Sequence, residues 1–359
     1  MYSSSNGTEL ISSLSFAAEL RLRDSKTLCI VGLHLGGAHT KKTAAVRASV
    51  SLRRLKSGLP PGPEHQLFKS AIEPWFPDLS CVALTTASIA HADSAPLLWE
   101  AAARDIGPLA RTDSDTRLFQ VLEDLGHADI MVIDAPLTLP PCTPCQQTDC
   151  QGINSCSQVC VKNMHEEWMQ LRSLDERKVR TPQPYVDRYF EFFARNRFNH
   201  PALAGAHEFD SCLSSGRAPL TARAQFIAHK IRSKHPKTLV IETNSTVAAL
   251  GWSLSSGHRP RRMENLRREL EQPEHRKTIL TRFEHRHMAL RSAGLHAMLY
   301  KEFAEHHETF LAAICALTGW GLVSGEIFVT TEFLQQHPTQ PLTGWACLPK
   351  EITNHVWKH

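Results

Sequence analysis

Five cysteines fall in one short run, Cys142-x2-Cys145-x4-Cys150-x5-Cys156-x3-Cys160, with His165 soon after. Thiolates this dense can wrap one tetrahedral zinc ion, and four of them can equally hold an iron–sulfur cluster, so the spacing does not choose the metal. Pro140, Pro141 and Gly152 punctuate the run as a compact knuckle requires. Four thiolates around one ion leave no open position, which makes such a site structural rather than catalytic. The alternative is a set of independent reduced thiols.

Two further groups of residues suit phosphate. The loop Gly36-Gly37-Ala38-His39-Thr40-Lys41-Lys42 offers backbone N–H groups, the Thr40 hydroxyl and the Lys41 ammonium, although it is not a Walker loop and also reads as a plain hairpin turn. Arg177, Lys178, Arg180 and Arg188 surround Thr181-Pro182-Gln183-Pro184-Tyr185, where cations can track a phosphate backbone and Tyr185 or Trp168 can stack on a base. A second basic supply at Arg259, Arg261, Arg262, Arg267 and Arg268 is interspersed with glutamates and reads as a solvated helix face.

The elements that must position these groups follow from hydrophobic pattern. Residues 1–26 begin Ser-rich and read as a loose tail. Residues 27–35 and 43–52, joined through Gly36 and Gly37, predict a β-hairpin, and residues 81–90 a third strand. A Pro/Gly loop at 58–64, a helix at 97–104 and a helical segment at 116–126 with Leu118, Val121, Leu122 and Leu125 on one face complete the first part. Residues 129–134 form a short apolar strand that delivers Asp134 to its C-terminal end, the place where open α/β sheets bind ligands, and Pro136 turns the chain away. Residues 238–242 repeat the pattern and end on Glu242. Residues 261–291 predict a solvated helix or helix pair, and residues 294–320 a long final helix. The domain reading is a tail at 1–26, a core of 27–138 and 236–359, and a Cys-rich and helical insertion at 139–235.

The chain has 359 residues, 42% of them hydrophobic, enough to bury a large core. No apolar run approaches the roughly 20 residues that span a bilayer, and no basic segment leads into an apolar core at the N-terminus, so a cytoplasmic protein is expected. Ten cysteines, half of them local, favour a metal site in a reducing compartment over a disulfide framework. The formal charge of +4, with twenty histidines, permits nucleic-acid binding without requiring it.

The segments Ile30-Val31-Gly32-Leu33-His34-Leu35-Gly36-Gly37-Ala38-His39-Thr40-Lys41 and Val132-Ile133-Asp134-Ala135-Pro136-Leu137 resemble domain-of-unknown-function family 429, predicted nucleases of RNase H-like fold. Thr181-Pro182 with Tyr185 and Arg188, Val240-Ile241-Glu242, and the helix from Glu308 to Thr318 extend the resemblance over residues 28–320. It implies an α/β fold with an RNase H-like mixed sheet flanked by helices, and a site that gathers carboxylates around magnesium or manganese to hydrolyse a phosphodiester. Asp134, Glu242 and Glu308 are the carboxylates it points to, with Thr40, Lys41, Tyr185 and Arg188 at the nucleic acid. Some related sequences share the first four cysteines, which makes Cys142, Cys145, Cys150 and Cys156 the metal set and Cys160 the spare. The chain departs from the pattern at His34, where relatives carry an aspartate, and at Leu311, where a second acidic residue is frequent. Imidazole suits zinc, manganese or iron better than magnesium, so the inherited chemistry is altered or lost. Two other readings follow: a non-catalytic nucleic-acid-binding or scaffold protein on the same fold, and an actin-like ATPase that holds phosphate at the Gly36–Lys42 loop.

Overall fold

The computed structural model describes residues 27–36, 43–54, 75–85, 126–174, 180–198, 209–255, 262–286, 303–324, 327–328 and 346–349, with single positions at 115, 118, 119, 122, 123, 203, 257, 260 and 352. Strand β1 (Thr27–His34) is apolar on both faces, as a central strand must be, and Ile30, Val31 and Leu33 are fully buried. It pairs antiparallel with β2 (Ala44–Arg54), which pairs antiparallel with β3 (Trp75–Thr85). On its other side β1 runs parallel to β4 (Ile130–Ile133), and β4 runs parallel to β5 (Leu239–Glu242). The five strands form one mixed sheet in the order β3-β2-β1-β4-β5.

Eight helices and a 3-10 turn are described around it. Helix α1 is Cys142–Cys145, followed by the 3-10 turn Ile153–Ser155 and α2, Val159–Leu174. Next come α3 (Tyr189–Arg197), α4 (Ala218–Lys234), α5 (Ser245–Ser255), α6 (Met263–Glu271), α7 (Pro273–Arg286) and α8 (His307–Ser324); residues 303–305 are also helical. A two-stranded sheet of Ile327–Phe328 and Leu348–Pro349 adjoins the end of β5, where Glu242 bridges in parallel to Ala346 and its carbonyl accepts the Cys347 N–H at 2.8 Å.

Alternation along the strands splits the core into two layers. Ile30, Val132 and Ile241 face one layer with Phe310, Ala312 and Ala316 of α8 and Phe192 of α3. Val31, Leu33, Met131, Ile133 and Val240 face the other, with Ala224, Ile227 and Ile231 of α4 and the helical residues Leu118 and Leu122. Helices α3 and α4, expected in an insertion at 139–235, thus pack into the same two cores as the sheet.

Two glycines set how closely α8 lies on the sheet. A Cβ on Gly32 would stand 2.1 Å from the Ala312 carbonyl oxygen, and one on Gly319 would stand 2.6 Å from Ile30 and 2.9 Å from Val132. Gly32→Ala therefore forces strand and helix apart; urea unfolding should show a loss of about 1–3 kcal/mol, the usual cost of overpacking.

The hairpin and both parallel strands stand where the pattern placed them. Strand β3 begins earlier than the expected 81–90, because β2 extends to Arg54 and pairs it with Trp75. The basic region at 261–291 is a helix pair broken at Pro273, which opens α7 where its missing N–H costs nothing. The expected loop at 58–64, the helix at 97–104 and residues 294–302 of the final helix lie outside the described residues. Among the described residues, no helix is long and apolar enough to cross a membrane.

Candidate functional site

Parallel pairing of β1 with β4 brings two reactive side chains together at the C-terminal ends of both strands. Leu33 stands opposite Ile133, and the Asp134 N–H donates to the Leu33 carbonyl at 2.9 Å. His34 and Asp134 therefore leave the sheet side by side, on the face that carries α8. His34 Nδ1 lies 2.5 Å from Asp134 Oδ2. Ser245, the first residue of α5, binds the same carboxylate twice: its N–H donates to Oδ1 at 2.8 Å and its hydroxyl donates to Oδ2. Helix α5 starts here because the Asn244 side chain caps it, accepting the Val247 N–H at 3.1 Å. Asp134 takes a second open donor of that first turn and sits at the positive end of the helix.

These contacts fix the charge state of the carboxyl. Burial alone pushes the Asp134 pKa up, but the His34 ring, and after it the Ser245 hydroxyl and N–H, outweigh burial and hold the carboxyl below its ordinary value. An ionised carboxylate only accepts, so the shared proton belongs to His34 Nδ1, and Nε2 is the nitrogen left for chemistry. A carboxyl with a depressed native pKa stabilises the fold above its unfolded pKa, about 3.9. That contribution is lost as pH falls through the native value. The stability gap between the wild type and Asp134→Asn should accordingly narrow on acidification from neutral pH, as read by denaturant midpoints.

Helix α8 approaches the same spot. Ile30 meets Gly319 and Gly32 meets Ala312 and Ala316, so strand and helix run in opposite directions along one stripe. Two residues further along β1 is His34, and one turn back along α8 from Ala312 is Glu308, at the half-buried start of the helix. His307 Nδ1 is bonded to the Leu270 carbonyl at 2.9 Å. Burial lowers the His307 pKa; the Leu270 bond and Glu308 oppose that, and His34 lowers it further, which places the two imidazoles within electrostatic reach.

Glu242 does not join this group. It pairs with Ile133 in register, one residue before Asp134, and so points to the opposite face of the sheet. There it is 2% exposed and fully engaged: Arg188 Nη1 donates to Oε2 at 2.7 Å, Arg188 Nη2 donates to Oε1 at 2.7 Å, and the Leu137 N–H donates to Oε2 at 2.8 Å. Glu242, expected among the cation ligands, is thus engaged by Arg188, which was itself expected at a phosphate. Arg188 is 3% exposed and also binds Glu191 through Nε at 2.8 Å, so its donors are spent on two buried carboxylates. Those carboxylates keep its guanidinium protonated despite burial, raising its pKa well above the ordinary value.

The cysteines lie on a knuckle. Cys142 and Cys145 bracket the single turn of α1, Gln146 reverses the chain in the left-handed region at φ 47°, and Gly152 does so again at φ 87° before the 3-10 turn leads to Cys156. Burial raises the Cys142 pKa, and Cys156, Cys145 and Cys150, in that order, raise it further, so all four expected thiols are neighbours. Among the described residues, however, no three His, Cys, Asp or Glu side chains converge to hold a metal ion. This holds for the thiols and for the carboxylate set expected around magnesium or manganese.

Thr40 and Lys41 lie outside the described residues, but the stem of their loop is fastened. The Gly36 N–H donates to Thr43 Oγ1 at 3.1 Å, and Arg223 Nη1 donates to the Gly36 carbonyl at 3.0 Å while its Nη2 binds Asp115 at 2.7 Å. Tyr185 is 60% exposed, as a stacking residue must be. Sequence reasoning missed Ser245, although Asn244-Ser245 directly after a strand and before an apolar run is the signature of a capped helix start. Compared with protein-family models, with curated proteins and with solved structures, the chain gives no match.

Proposed function

We propose that this chain is a phosphodiester hydrolase acting on nucleic acid, with an RNase H-like fold related to domain-of-unknown-function family 429, in which a His34–Asp134 pair replaces the carboxylate-held cations. The observation that carries the reading is the 2.5 Å contact between His34 Nδ1 and Asp134 at the adjacent ends of two parallel strands. The strand order β3-β2-β1-β4-β5 agrees with it. The two-cation carboxylate arrangement does not fit this donor set: Glu242 is neutralised by Arg188, and Asp134 already accepts three hydrogen bonds. His34 Nε2 instead takes a proton from water as the oxygen attacks phosphorus, Asp134 stabilises the imidazolium that forms, and as the ester P–O bond breaks the imidazolium returns the proton to the leaving oxygen. Tyr185 and the Thr40–Lys41 loop are the groups for binding the nucleic acid.

Purified protein should cleave at least one member of a panel of single-stranded, duplex and hybrid DNA and RNA, assayed with magnesium, with manganese and with chelator. Asp134→Asn should remove that cleavage. Turnover unaffected by Asp134→Asn would sink the assignment.

The neutralised Glu242 favours a second reading, a non-catalytic nucleic-acid-binding protein that keeps the fold. Salt-dependent binding without turnover of any substrate would select it. The actin-like ATPase reading rests on the Gly36–Lys42 loop alone; a nucleotide-dependent rise in Tm would support it.

A further inference from the structure

The segment Cys142-Thr143-Pro144-Cys145 takes no part in the reaction proposed above, and it sets two thiols on one turn: helix α1 is these four residues and no more. Residues three apart on a helix share a face, with Cα atoms about 5 Å from each other. A disulfide needs Cα atoms roughly 4.4–6.8 Å apart, so the backbone already has the right separation. The Cβ atoms of such a pair lie about 5–6 Å apart, against roughly 3.5–4.5 Å in a disulfide, and closure therefore needs a small local shift. The turn is free to make it. None of its residues is buried, and it ends at once, with Gln146 leaving the helix in the left-handed region at φ 47°.

Two further features keep the pair ready to close. Pro140, Pro141 and Pro144 fix φ at three positions around the turn, and the Thr143 N–H donates to the Pro140 carbonyl at 3.0 Å, so little freedom remains to be lost when the ring forms. Both thiols are free and only half-buried, within reach of a small reagent, whereas Cys29, Cys212, Cys315 and Cys347 are buried. Cys150, Cys156 and Cys160 share no helical turn with a second cysteine.

We propose that Cys142 and Cys145 form a reversible dithiol–disulfide site, oxidised by a low-molecular-weight disulfide of the glutathione class. The Cys145 thiolate attacks one sulfur of that disulfide, its S–S bond breaks, one small thiolate leaves, and a mixed disulfide stands on Cys145. The Cys142 thiolate then attacks the Cys145 sulfur, the mixed S–S bond breaks, and the second small thiolate leaves. Two protein thiols are oxidised, one small disulfide is reduced to two thiols, and the two protons given up by the cysteines end on the leaving thiolates. Cys145 leads because burial raises the Cys142 pKa and keeps that thiol protonated. A disulfide that is accessible and closed at some geometric cost is readily reduced again, the behaviour of the transient disulfides found in reducing compartments.

The site also touches the rest of the fold. The Cys142 N–H donates to the Pro184 carbonyl at 3.0 Å, and Pro184 lies in the turn immediately before Arg188. Closing the ring moves Cys142 and so loosens this anchor. The inference is independent of the hydrolase reading and needs no activity assay.

Full-length reduced protein, incubated with oxidised glutathione, then alkylated and digested, should yield a peptide holding Cys142 and Cys145 unalkylated and two hydrogens lighter by mass spectrometry. Excess reduced glutathione should return both thiols. Cys142→Ser should stop the reaction with glutathione held on Cys145, and Cys150→Ser should leave the pair unchanged. The Cys142 amide should exchange its hydrogen faster in the oxidised protein. If both thiols stay open to alkylation in the folded protein, or each ends with its own glutathione, the site is overturned. Bonds from either one to Cys150, Cys156 or Cys160 would overturn the pairing, and Cys142→Ser without glutathione on Cys145 would overturn the order of attack. Equal exchange at Cys142 in the two redox states would overturn the link to Pro184.

Discussion

Arg188→Ala should destabilise the protein by about 3–5 kcal/mol, the loss that follows removal of one partner from a buried ion pair. Arg188 is the counterion of two carboxylates, Glu191 and Glu242, that are 1% and 2% exposed. Without it, two like charges remain in an environment that solvates neither. They can escape only by taking up protons, so the deficit should be greater at neutral than at mildly acidic pH. Arg188→Lys should not restore stability, because one ammonium cannot reproduce the fork that bonds both Glu242 oxygens while Nε holds Glu191. Glu242→Gln should cost less, since Arg188 keeps Glu191. Urea unfolding at two pH values reads all three variants. An Arg188→Ala protein as stable as the wild type would mean that the guanidinium is spare, free for a phosphate after all.

Asp134→Asn should lower phosphodiester cleavage by about 10²–10⁴-fold, the range expected for a general base put out of action. The amide keeps the shape of the carboxylate but not its polarity. Its oxygen can still accept the Ser245 N–H, while its NH₂ group then faces His34 Nδ1 and donates there. The ring responds by moving its proton to Nε2, the tautomer that cannot take a proton from water. Substrate binding should be nearly unchanged, because Asp134 reaches the reaction only through His34. A fall in affinity with an unchanged cleavage step would assign Asp134 to binding and contradict this role.

Much of this arrangement was legible in the residues, and the limits were physical. Apolar runs at 27–35, 129–134 and 238–242 identified three strands of the sheet and the ends on which His34, Asp134 and Glu242 sit. What such runs do not state is parity. One residue of offset between Glu242 and Asp134 sends them to opposite faces, and that offset is set by the register of β5 against β4. The fate of Arg188 was hidden for a similar reason: an arginine beside Thr181-Pro182 looks like a surface cation until a glutamate 54 positions away is found beneath it. The His34–Asp134 contact also joins residues 100 positions apart. Each side chain was singled out alone, but the substitution of histidine for aspartate read as a lost ligand. In the fold it becomes a gained hydrogen-bond partner, with Ser245 as a third member.

The central claim is that His34 Nε2, oriented by Asp134, acts on the phosphodiester. The rate of cleavage in a single turnover, with enzyme in excess over a labelled substrate from the responsive panel, tests it most directly when the wild type is compared with His34→Gln. Glutamine keeps a polar side chain at the end of β1 but has no nitrogen that takes up a proton near neutral pH. The account predicts a fall of about 10²–10⁴-fold with the substrate still bound; equal rates in the two proteins would contradict it.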